Sequence, residues 1–74
     1  MKNPNAIKLV AAANKYRKSL GHFAHIQQDY EDLMSIAQMI ENNENDDAIC
    51  KAMWKLDTAV RDVIPDKVYY TYNE

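Results

Sequence analysis

Asn14 to His25 reads NKYRKSLGHFAH, and the way its Gly21 is taken decides the fold. Apolar residues recur across the glycine at Leu9, Ala13, Tyr16, Leu20 and Phe23, separated by four, three, four and three positions, which is one stripe of an α-helix. Beyond it the same phase runs through Ile26 or Gln27 to Tyr30, Leu33 or Met34, Ala37 and Ile40. A loop has no reason to keep that register, whereas a glycine inside a helix costs only about 1 kcal/mol relative to alanine. The spacing therefore predicts one helix from about Pro4 to about Asn42, bent near Gly21; the alternative is two helices broken at Gly21 and His22. Asn3 suits the N-cap and Pro4 the first helical position, with Asn5 a competing cap.

Polar, turn-forming residues follow, and 43–47 reads as a connection ending in acids that favour the next helix N-terminus. From about 48 to 64 the helical pattern returns, with Ile49, Met53, Leu56, Val60 and Val63 on one face and Asp47/Lys51 and Asp57/Arg61 as pairs four apart. Pro65 closes it. The tail 65–74, rich in Val68, Tyr69, Tyr70 and Tyr72, is β-branched and aromatic, which predicts an extended segment docked on the rest. The expected architecture is a single all-α domain over 1–74. Residues 24–42 and 48–64 form an antiparallel helical hairpin, and residues 4–22 either project as an arm or fold back as a third helix.

Composition narrows the function classes. A chain of 74 residues hides a modest share of its surface, and its single cysteine, Cys50, permits no internal disulfide. Self-association is the expected staple, because an arm bearing Leu9, Tyr16 and Leu20 needs a neighbouring subunit to cover it. No apolar run is long enough for a signal peptide or a membrane span, so a reducing cytoplasm is the expected setting. The net charge of −2 conceals a division: Met1 to Gln28 carries five cations and no acid, and Asp29 to Cys50 carries seven acids and no base. Such a chain could stack head to tail, fold its basic arm over its acidic half, or offer the arm to an anion.

At about 100° per residue, Lys8, Lys15, Lys18, His22 and His25 share a helix face beside Tyr16, with Arg17 across the stripe. Cations beside a ring are what a phosphate-bearing, base-bearing ligand needs, so Lys8, Lys15, Tyr16, Arg17 and Lys18 form a candidate anion site for nucleotide or nucleic acid. The bland alternative is a solvated face. His22, His25, Asp29 and Asp32 also fall on one face, but no matching motif on the other helix completes a metal site, and none is assigned. Trp54 lies about 140° round the second helix from Ile49, outside the hairpin seam. It is covered either by the tyrosine tail or by another chain, where Trp and Tyr are favoured anchors. Ser19, Ser35 and Cys50 lack a convincing His/Asp partner, and there is no glycine-rich phosphate loop, which argues against catalysis and against any cofactor.

The run AMWKLDTAVRDVIP, Ala52 to Pro65, resembles the second hairpin helix of the phage anti-CBASS cyclic-nucleotide sponges, and Tyr16-Arg17-Lys18 is similar to the start of that family's ligand-binding segment. Here Gly21 follows Tyr16 by only five residues, where the family has a longer segment, and Gln27 and Gln28 stand where its ligand lysine would be sought. The resemblance implies an oligomeric, non-catalytic phage protein that inhibits host defence by sequestering cyclic nucleotides between subunits. The leading expectation is a homo-oligomeric, non-enzymatic phage or mobile-element accessory factor that engages a host protein. Its candidate interface is Trp54, Tyr69, Tyr70 and Tyr72, together with Leu9, Tyr16 and Leu20. An anion binder using the basic arm is the alternative, and a purely structural assembly subunit is a third reading.

Overall fold

The computed structural model describes residues 1–20 and 24–73. Within them the chain is all-helical: α1 spans Pro4–Leu20, α2 Ala24–Glu41, α3 Asp46–Trp54, α4 Thr58–Arg61 and α5 Asp66–Tyr72. The expected start is confirmed in detail, since the Asn3 side-chain oxygen accepts hydrogen bonds from the backbone N–H of Asn5 at 2.9 Å and of Ala6 at 3.4 Å.

The single long helix over 4–42 is corrected. α1 and α2 lie side by side and antiparallel, tied at one end by Glu41, whose carboxylate accepts from the backbone N–H of Lys2 and Asn3 at 2.9 and 2.8 Å. Nearer the other end, Tyr16 donates to Asp29 and Tyr30 donates to Asn14, each at 3.0 Å. Gly21 and His22, where the alternative reading put a break, lie outside the described residues. The unbroken phase was real but ambiguous: Ala6, Leu9 and Ala13 of α1 and Leu33, Ile36, Ala37 and Ile40 of α2 are all buried, and they face one another across the hairpin. Folding back covers that stripe within one chain, which a straight helix cannot do. The hairpin thus forms between 4–20 and 24–41, and the arm is the folded-back alternative.

α2 ends on a left-handed residue, Asn43 at φ 56°. The N–H of Asn43 reaches the carbonyl of Ile40 and the N–H of Glu44 that of Met39, both at 3.1 Å, the paired closure of a Schellman motif. α3 then begins at Asp46, two residues before the expected position 48, because Asn45 accepts from the N–H of Asp47 at 2.8 Å and caps it.

The helix expected over 48–64 is also corrected, since it stops at Trp54 and resumes only as the short α4. Asp57 is extended, with φ −61° and ψ 151°, and occupies the N-cap of α4. Arg61 therefore does not pair with Asp57 but reaches back to the end of α3. Its Nε donates to the Met53 carbonyl at 3.3 Å and its Nη2 to those of Trp54 and Leu56 at 3.4 and 2.8 Å. The other expected pair forms, Lys51 to Asp47 at 3.0 Å.

The extended tail is the third correction. Residues 66–72 form α5, which places Val68 fully inside the core with Tyr69 and Tyr72 packed against it. Those positions share a helical face, and burial of one side of α5 against α1 and α3 outweighs the modest strand preference of its residues. That the tail is docked is correct; its backbone is not extended.

Candidate functional site

Two surfaces carry the candidate residues. The first is built where α3 ends. Trp54 is 56% exposed, and its ring is held rather than covered. Its Nε1 donates to the Asn73 side-chain oxygen at 2.7 Å, and the Arg61 guanidinium lies over the indole, 4.2 Å from the ring centroid. Asn73 is itself fixed, because its amide donates to the Tyr69 carbonyl at 2.9 Å and approaches the Met53 sulfur at 3.2 Å, while the Cys50 thiol donates to its oxygen at 3.0 Å. The indole is neither beneath its own tyrosines nor loose. Sequence reasoning located Trp54 outside the seam but missed both of its holders: Asn73 is remote in sequence, and Arg61 was assigned to Asp57 by helical spacing.

Beside it, Arg61, Asp62, Asp66, Tyr69 and Tyr70 line a cleft of about 460 Å³. Tyr70 is 62% exposed and meets Tyr69 edge to face, with centroids 5.2 Å apart and planes at 86°. Tyr72 is half-buried against the core. Of the tail tyrosines proposed as interface, Tyr70 is thus the one turned outward.

The second surface is α1. Lys8, Lys15 and Lys18 are exposed, and no carboxylate among the described residues lies within ion-pair distance of them. Lys15 and Lys18 line a cleft of about 410 Å³ with Ala11, Asn14 and Ser19. Lys15 and Ser19 also line the adjoining cleft of about 430 Å³ with Ala12, Tyr16 and Val63. Two candidate anion residues are occupied within the fold. Arg17 lies over the Tyr30 ring, 4.5 Å from its centroid, and the Tyr16 hydroxyl is spent on Asp29. Burial first, and then the Asp29 carboxylate as hydrogen-bond acceptor and negative charge, push the Tyr16 phenol above its ordinary value.

Leu9 is corrected as an interface residue, since it is fully buried among the described residues of its own chain. The side chain of Leu20 and the whole of His22 lie outside the described residues. Among the described residues no three His, Cys, Asp or Glu side chains gather where a metal ion could sit, and no helix is long and apolar enough to cross a membrane.

Taken together, fold and surfaces define a class: a small all-helical protein whose outward chemistry is one anchored indole, an acidic tyrosine cleft and a lysine-lined helix face. The chain matches no known family model, no curated protein and no solved structure.

Proposed function

We propose that this chain is a non-enzymatic, self-associating binding protein that engages a protein partner through Trp54 and Tyr70. The observation that carries the reading is the indole, more than half exposed and yet held by Arg61 and Asn73. A large ring that is already ordered loses little conformational entropy when it is covered, which is the property of an interface anchor. The resemblance of Ala52 to Pro65 supports a phage or mobile-element accessory factor acting on a host protein in the cytoplasm. The test is affinity capture from the host background with wild-type and Trp54→Ala proteins. The substitution is expected to weaken the specific complex by about 2 kcal/mol or more, roughly thirtyfold in Kd, while far-UV circular dichroism is unchanged. An identical set of captured proteins at equal strength would remove Trp54 as the anchor.

A second reading is favoured by Lys8, Lys15 and Lys18, exposed and without an ion-pair partner among the described residues, which suit an anion such as a nucleotide or oligonucleotide. Its expected outcome is binding that weakens steeply with salt and is lost in the Lys15→Glu, Lys18→Glu double variant.

A further inference from the structure

Three clefts are lined by neighbouring residues of α4, of the join to α5, of α5 and of α1. The first holds Asp62 and Asp66 beside Tyr70. The second is apolar, formed by Ala12, Tyr16 and Val63, and Val63 directly follows Asp62 in the chain. The third holds Lys15 and Lys18, with Lys15 and Ser19 shared between it and the second. The order is acidic, apolar, basic, and neither charged end is neutralised by an ion pair among the described residues. Arg61 offsets one of the two acids, Asp62 and Asp66, so this end keeps a net negative charge.

A surface with opposite charges flanking an apolar centre is complementary to its own copy turned through half a revolution. The apolar centre meets itself, and each charged end meets its opposite, twice. A lone anion would be served by the lysines and opposed by the aspartates, whereas a second copy uses both ends. We propose that two copies of this chain pair about a two-fold axis passing near Val63, with Lys15 and Lys18 of each against Asp62 and Asp66 of the other. This rests on the reading of the protein as self-associating, and it names the surface and the symmetry. Trp54 lines none of the three clefts but Tyr70 lines the first, so in the dimer the contact with another protein rests on Trp54.

Charge reversal tests the pairing directly, by native mass spectrometry and light scattering at about 50 µM, where mass action favours a complex. Wild type is expected as a salt-sensitive dimer. Lys15→Glu with Lys18→Glu makes both ends of this surface net acidic, and Asp62→Lys with Asp66→Lys makes both ends basic. Each double variant alone is expected to dimerise roughly tenfold or more weakly, and an equimolar mixture of the two is expected to restore a one-to-one heterodimer. Should the lysine substitutions disturb α5, Asp62→Asn with Asp66→Asn keeps side-chain size and is expected to weaken the dimer in the same direction.

A monomeric wild type would overturn both this pairing and self-association. A wild-type dimer indifferent to all three variants would overturn the pairing alone, and growth into larger open-ended species would overturn the two-fold. Trp54→Ala is expected to leave the dimer intact, so the partner-anchor reading and the pairing fail separately.

Discussion

Arg61 serves three purposes from one position: it donates to the carbonyls of Met53, Trp54 and Leu56, fixes the join to α4 and forms a lid on the Trp54 ring. Removing it leaves the part-buried Leu56 carbonyl without its donor, so Arg61→Met is expected to lower unfolding stability by about 1–3 kcal/mol, read as a shift in the urea midpoint. Arg61→Lys is not expected to restore it, because one ammonium cannot reproduce a planar fork. Glu41 acts at the opposite end. Two backbone N–H donors, from Asn3 and then Lys2, hold its carboxyl below the ordinary 4.5. A depressed folded value means that the stabilisation is present above the unfolded value and disappears as pH falls through the folded one. Glu41→Gln is therefore expected to melt below wild type at neutral pH, with the gap closing as the solution is acidified beneath that range. Asn43 illustrates a third local constraint: at φ 56° a Cβ-bearing residue without a suitable polar side chain is strained, and Asn43→Ala is expected to cost about 1 kcal/mol in the same denaturation assay.

At the scale of elements, the informative differences between sequence and structure are the tail and the second long helix. Val68-Tyr69-Tyr70 is strand-like in local preference, yet Val68 is fully buried and Tyr69 and Tyr72 pack beside it. α5 is thus a product of its docking, and Val68→Asp is expected to unmoor it. The measurable result is reduced helicity by circular dichroism together with an altered Trp54 emission as Asn73 withdraws from the indole. The interruption after Trp54 was hidden for a similar reason. Ile49, Met53, Leu56, Val60 and Ile64 are all buried, so the apolar periodicity spans the break, and only the extended Asp57 marks it. Caps behaved differently. Asn3 and Asn45 act over two or three residues, and the first of them was legible in sequence because its partners are its immediate neighbours.

For the whole molecule, the charge division along the chain resolves into adjacency: the basic N-terminal segment lies along the acidic one through α1 and α2. Their association runs through Glu41 to backbone N–H groups, Tyr16 to Asp29 and Arg17 over Tyr30 rather than through lysine–carboxylate pairs, which leaves Lys8, Lys15 and Lys18 outward. The proposed dimer would make folding a mass-action equilibrium. The melting temperature of wild type is accordingly expected to rise with protein concentration, and that of the Lys15→Glu, Lys18→Glu variant to rise less.

By itself the amino-acid sequence determined the all-helical class, the apolar stripe through Leu9, Ala13, Ala37 and Ile40, the cap at Asn3 and the position of Trp54 outside the seam. Each of these follows from periodicity or from groups a few bonds apart. Tertiary structure alone decided that α1 folds back on α2, that α5 is helical, and that Arg61 and Asn73 hold the indole. A stripe states which side of a helix must be covered but not what covers it, and that choice depends on residues far apart in the chain meeting in one core.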